Sequence, residues 1–291
     1  MIKEISLGYY YFDIGLLLRD TNVINAILFN SEVWYGLTVD QIESLENIDI
    51  LFMRKLFDAH SKTAKEAFYI ESGKIPIKMI IKVRRLMYWW HVNNVKESSL
   101  IQQCYMAQKR TPVKKDWVIT LDNDKKEFSI DLDDDDIKKI SKYKFKKLVK
   151  SAAMKETIKY LSNLKIKHSK LDDISFSELK PQKYLFDSRL NLHEMKLLFE
   201  LRTRMFNCKE NFKNNYKNES FLHCQLCLVA LDNQSHLLNC FVLKNSIPEL
   251  RDNANIVYKD LFGSIDKQVK FVKLISKVIK TRSILLEKLS P

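Results

Sequence analysis

An all-α fold, a multi-helical bundle, follows from three features of this 291-residue sequence. Gly and Pro number only five each, whereas β-rich folds spend many of both on turns. Apolar residues recur at helical spacing behind recognisable caps. No alternating strand pattern runs longer than a few residues. The chain is 46% hydrophobic and 29% charged, which is globular, and its length suits one or two domains with a real core.

Met1-Ile2-Lys3-Glu4 leads to a short apolar run, Ile14-Gly15-Leu16-Leu17-Leu18, with no small-residue cleavage site after it, so no signal peptide is expected. No stretch approaches the roughly 18 consecutive apolar residues of a membrane span. Thr38-Val39-Asp40-Gln41 is a capping box, and Ile42, Leu45, Ile48, Leu51, Phe52 and Leu56 behind it predict a helix to about Phe57. Pro76 suits a helix start, and residues 77–92 follow it without a breaker. The acidic run 131–136 precedes Ile137, where a helix N-terminus favours negative charge, and reads as a solvated cap rather than a metal site. Pro181 marks a break. A helix is expected from about Leu192 to Met205. The last begins after Gly263-Ser264 and runs to about Lys288, with Val272, Ile275, Ile279 and Leu286 opposite Lys270, Lys273, Lys277 and Lys280.

Residues 138–170 carry twelve lysines against one acid, Glu156. Tyr143, Phe145, Leu148, Met154, Ile158 and Leu164 are interleaved with them. A helix of that composition puts most of its lysines in water, either as snorkelling edges of a core-packed helix or as a field aimed at phosphate. The whole chain has a formal net charge of +13. That excess suits a polyanion, nucleic acid or an anionic membrane surface, and equally suits the lysine-rich surfaces of an A/T-rich genome.

Five cysteines, an odd number in a large chain, argue for a reducing compartment, nucleus or cytoplasm. Cys224-Gln225-Leu226-Cys227 with His236 and Cys240 reads C-x2-C-x8-H-x3-C. Two thiolates two residues apart grip one side of a tetrahedral ion, and a His/Cys pair one helical turn apart closes the other. One structural Zn²⁺ with all four positions filled is expected, against the alternative of plain buried thiols. His223 could compete, but its side chain should point away from that of Cys224. Cys104 and Cys208 have no partner spacing. No GxxxxGK[ST], GxGxxG or GxSxG occurs, and His60, His91, His168 and His193 lack convincing acid or nucleophile neighbours. The acidic run lacks the apolar strands that would hold paired carboxylates for two-metal phosphoryl transfer.

Several segments, in order, suggest a family. These are Ser31-Glu32-Val33-Trp34-Tyr35-Gly36-Leu37-Thr38, then Tyr69-Ile70-Glu71-Ser72-Gly73-Lys74-Ile75-Pro76-Ile77 with Arg84-Arg85-Leu86. Ser141-Lys142-Tyr143-Lys144-Phe145-Lys146-Lys147, Leu201-Arg202-Thr203-Arg204-Met205 and the terminal Cys/His cluster follow. Together they resemble the region from thumb to CCHC zinc knuckle of non-LTR (LINE-like) retrotransposon endonuclease–reverse transcriptases, over essentially the whole chain. Relatives often carry Pro after the first knuckle cysteine, where this chain has Gln225. The family's polymerase holds its metals on an aromatic-x-Asp-Asp turn, and no such sequence occurs here; the endonuclease is missing too. The resemblance thus implies a C-terminal remnant, with Met1 internal to a longer ancestral frame.

From that resemblance we expect residues 1–130 to form a thumb-like helical region, 131–210 a basic helical linker, and 211–291 the knuckle with its C-terminal helix. The expected partner is RNA or DNA, with a separate catalytic chain as a further possibility, and neither a membrane nor a small-molecule substrate. Lys142, Lys144, Lys146, Lys147, Lys150, Arg202 and Arg204 are the expected phosphate contacts. Phe221 or Leu226 would meet unstacked bases. No catalytic residue is expected. The alternative is a decayed or domesticated element acting as a protein-interaction or structural module through apolar surface once covered by the palm.

Overall fold

A computed structural model describes residues 7–215, 218–252 and 255–289; the Met1–Glu4 segment lies outside them. The fold is all-α, and the only strand-like pairing among the described residues is a single antiparallel bridge between His223 and Leu231. Helix α1 (Leu7–Leu18) passes through a π-helical turn, Arg19–Val23, into α2 (Ile24–Ile27). Then come α3 (Val39–Phe57), α4 (Lys65–Ser72), α5 (Ile77–Asn94), α6 (Leu100–Arg110), α7 (Trp117–Glu127) and α8 (Asp134–Lys139). The lysine-rich α9 spans Lys142–Lys165 and α10 spans Leu192–Arg202. Three short helices, α11 (His236–Asn239), α12 (Phe241–Ser246) and α13 (Pro248–Asp252), precede the long α14 (Ile265–Leu289).

The caps read from sequence do what their chemistry dictates. Thr38 Oγ1 accepts from Gln41 N at 3.2 Å while Gln41 Oε1 accepts from Thr38 N at 2.9 Å, which starts α3. Within the acidic run, Asp133 Oδ1 accepts from the amides of Asp135 and Asp136 at 2.9 and 2.8 Å and starts α8. Asp134 turns inward, its Oδ1 accepting from Trp89 Nε1 and the Tyr105 hydroxyl at 2.9 and 2.8 Å. The run is therefore a cap and a core anchor.

Two large cores result. The first joins α1, α3, α4, the C-terminal end of α9, α10, the Cys/His cluster and α14, so that Phe12, Phe57, Phe199, Cys240 and Val278 share one interior. The second joins α5, α6, α7 and α8 with the N-terminal half of α9, around Trp89, Trp117 and Phe145. The boundaries expected at 130 and 210 are not packing boundaries. α9 runs between the two interiors, giving Phe145, Val149 and Ala153 to one and Leu161 to the other.

Buried ion pairs fasten distant segments. Arg19 grips Asp49 through Nε and Nη2 at 2.7 and 2.6 Å, and the Tyr69 hydroxyl donates to the same carboxylate at 3.2 Å. Arg85 pairs with Asp124 and donates to the Trp34 carbonyl at 3.1 and 2.6 Å. Arg202 Nε donates to both oxygens of Glu71 at 3.0 Å, and its Nη1 to the Leu261 carbonyl at 2.9 Å. Leaving any of these charges without its partner in so buried a place would be costly.

Next to this last pair, Gly73 ends α4 at φ +65°, a conformation that L side chains rarely adopt. A Cβ there would meet the Pro181 nitrogen at 2.3 Å. Gly73→Ala should therefore cost more than about 1 kcal/mol, since strain and collision both act on backbone that has no room to yield. Denaturant titration of the variant beside wild type checks this; equal midpoints would refute it.

Candidate metal centre and basic surface

The Cys/His cluster is assembled from a tight loop and one helical turn. Cys224 N donates to the Ala230 carbonyl at 2.8 Å, Leu228 N to the Cys224 carbonyl at 2.8 Å, and Asp232 N to the Leu222 carbonyl at 2.8 Å. These bonds curl the C-x2-C segment back so that both thiols face one point, with Leu228 at φ +56° completing the turn. Asn233 Oδ1 accepts from His236 N at 2.8 Å and starts α11, and Cys240 N donates to the His236 carbonyl at 2.7 Å to close that turn.

The ligand atoms of Cys224, Cys227, His236 and Cys240 all lie within 4.8 Å of one another. Cys227 Sγ and His236 Nε2 are 3.3 Å apart. A tetrahedral ion with metal–ligand bonds of about 2.0–2.3 Å needs edges of roughly 3.5–3.8 Å, so the four donors can hold a metal ion. The three cysteines are buried and the histidine partly so. His223 is not part of the group, and Cys208 stands apart too, burial pushing its thiol up to about 11. Burial also pushes the Cys240 thiol up to about 11, with charge on Cys224 and Cys227 acting the same way. For Cys227 burial acts upward as well, but the amides of Ala230 and Val229 and the neighbouring thiols outweigh it and bring the value down. Such a set binds a cation by shedding protons, which couples affinity to pH.

The cluster is locked to the bundle. Asp232, buried, takes two bonds of 2.7 Å from Arg282 Nη2 on α14 and one of 3.1 Å from Lys209 N. Gln234 Nε2 donates to the Leu201 carbonyl at 2.9 Å. The Cys/His cluster thus shares the main interior with α10 and α14. Phe221 projects with 61% of its surface exposed beside Leu228 and Val229 at 74% each, while Leu226 packs partly inward.

Along α9 the buried positions Phe145, Val149, Ala153, Thr157 and Leu161 fall four residues apart, a narrow stripe that leaves a wide face to solvent. Lys142, Lys144, Lys146, Lys147 and Lys150 all lie on that exposed face, and none meets a carboxylate among the described residues. Tyr143 stands among them, 76% exposed. Arg202, expected at phosphate, corrects that expectation: it is buried and consumed by Glu71, because α10 turns its last cation into the interior. Arg204 does reach the surface, at φ +52°, but pairs with Asp173 at 2.5 Å.

The arrangement brings together segments far apart in sequence. Glu71, in the 69–77 segment, holds Arg202 of the 201–205 segment. Trp34, in the 31–38 segment, holds Arg85 of the 84–86 segment through its carbonyl. Sequence reasoning missed the Asp232–Arg282 lock, because nothing in spacing links residues fifty apart. It also missed a cleft of about 550 Å³ beside the cluster, where Lys62, Lys170, Lys213 and Phe212 meet. Comparison with protein-family models, with curated proteins and with solved structures finds no match. No helix among the described residues is long and apolar enough to cross a membrane.

Proposed function

We propose that this chain binds nucleic acid, RNA or DNA, in the manner of the C-terminal region of a non-LTR retrotransposon reverse transcriptase, with no polymerase centre of its own. The exposed, carboxylate-free lysine face of α9 carries this reading. Ammonium groups without a carboxylate partner, gathered on the first nine residues of a helix about 36 Å long, attract phosphate and release its counterions. The Cys/His cluster would hold one structural Zn²⁺, fixing the loop that presents Phe221, Leu228 and Val229 as an apolar platform for unstacked bases. Zinc fits better than a hard cation because three of the four donors are thiols.

The test is salt dependence. Four to six phosphate contacts give a log–log slope of roughly −3 to −5 for a single strand or hybrid. Replacing Lys142, Lys144, Lys146 and Lys147 by Gln should flatten it by about one unit for each true contact, and leave helicity and metal content unchanged. An unchanged slope would reduce these lysines to a solvated face.

A second reading has its own observation. Tyr10, Ile14, Leu17 and Leu18 form a stripe on α1 between 46% and 60% exposed. Such a face suits a protein partner, including a separate catalytic chain. Association of the purified chain in sedimentation runs, abolished by Leu17→Lys, would favour it; a monomer that binds no strand but also no partner would not.

A further inference from the structure

The cleft beside the Cys/His cluster is formed where several stretches of chain converge. Lys62 comes from the α3–α4 turn, Ser169 and Lys170 follow α9, and the 210–215 segment and residues 233–235 close the other side. Its charge is unbalanced. Of its cations Arg204 is taken by Asp173, and Glu210 is its one carboxylate among the described residues. Lys62, Lys170 and Lys213 less Glu210 leave two net positive charges, 3 − 1.

Lys170 is the best placed of them. Its ammonium has three N–H groups; one goes to the Asn211 carbonyl at 2.8 Å and one to the Met205 sulfur at 3.5 Å, leaving the third for the cleft. Burial lowers its proton affinity, and the nearby Lys62 lowers it further. Two ammonium groups that repel each other are stabilised by an anion that takes bonds from both. The ring of Phe212 lies under the Lys170 ammonium at 5.1 Å and holds it in place.

We propose that this cleft is a seat for a phosphate monoester, occupied by the terminal phosphate of a bound nucleic-acid strand. A monoester carries about two negative charges near neutral pH and offers three acceptor oxygens, which matches the net charge, whereas an internal diester carries one. The volume fits about one nucleotide, so a strand end suits it better than a continuing backbone. The seat lies a few residues past the C-terminal end of α9, whereas Lys142–Lys150 lie in its first turns, so a strand that meets both has to span about 22 Å of helix, a few nucleotides of extended chain. The strand-end assignment rests on the nucleic-acid reading above.

The experiment uses the full chain loaded with zinc and a twelve-nucleotide single-stranded RNA labelled at its 3′ end, bearing either a 5′-phosphate or a 5′-hydroxyl. The phosphorylated strand should bind about tenfold more tightly, the worth of one or two charge-assisted bonds. Lys62→Gln, an exposed position whose loss should not unsettle the fold, should remove most of that preference, and Lys170→Gln should remove it too. The four-lysine α9 variant should instead weaken both strands alike and keep their ratio. Equal affinity for both strands in wild type would overturn the seat while leaving nucleic-acid binding intact. So would a preference that survives Lys62→Gln. Inorganic phosphate that abolishes the preference at concentrations near that of the strand would assign the seat to free phosphate and overturn the strand end. Failure to bind either strand would remove both the seat's strand end and the reading beneath it.

Discussion

Cys240→Ser should reduce the metal content of the chain from one ion to near zero and loosen the C-terminal third of the fold. Cys240 is fully buried in the main interior, and its neighbours Leu237, Leu238 and Leu243 are buried with it. Without an ion, three thiols and an imidazole face one another with no apolar filler. Isolated zinc modules owe about 10–16 kcal/mol to their ion, and here the packing of α11 and α12 on α14 should retain part of that order. We expect chelator on wild type and the substitution alike to open residues 222–246 to proteolysis and lower the melting temperature. Cys208→Ser is the control, because Cys208 lies outside the cluster and should leave the metal content at one. Elemental analysis that gives the same content for Cys240→Ser and wild type would end the metal assignment.

Glu71→Ala should be comparably damaging. The carboxylate is fully buried, takes both Nε contacts of Arg202 at 3.0 Å and the Tyr184 hydroxyl at 2.8 Å, and ties α4 to α10. Its removal strands a buried guanidinium, a loss of about 3–5 kcal/mol in comparable pairs. Tyr184, whose ionisation burial already opposes, would lose its acceptor as well. The double variant Glu71→Leu with Arg202→Met should recover much of the loss, since two well-packed apolar side chains need no partner. A denaturant midpoint for Glu71→Ala within error of wild type would show that the pair contributes nothing. A double variant as weak as the single one would show that the arginine's bond to Leu261 matters more than its charge.

Much of the architecture was legible because local chemistry decides it. At Thr38 and Asp133 a side chain satisfies backbone groups within four residues, and Pro76 and Gly263-Ser264 stand just ahead of the helices that begin after them. The four candidate donors were legible for the same reason, since offsets of three and four residues bring each pair together. What sequence could not show was pairing at long range. Arg202 and Arg204 are two residues apart and chemically alike, yet one is buried on Glu71 and the other is at the surface. Nothing near them in sequence distinguishes the two; the difference is made by α4 lying under α10. Composition shifts near 130 and 210, yet apolar residues on either side of each position meet in shared interiors, which composition does not reveal. Lys62 gave no signal at all, because its cleft is built from chain more than a hundred residues away.

Lysine acetylation footprinting addresses nucleic-acid binding most directly. The chain is treated with a limiting acylating reagent, with and without saturating single-stranded RNA, and each lysine is read by mass spectrometry. Lys142, Lys144, Lys146, Lys147 and Lys150 should be protected severalfold by the strand, because they form the exposed, unpaired face of α9. Lys180 beside Glu178 and Lys277 beside Glu249, already paired, should keep their reactivity. Equal reactivity of the five α9 lysines with and without RNA would contradict the proposed function.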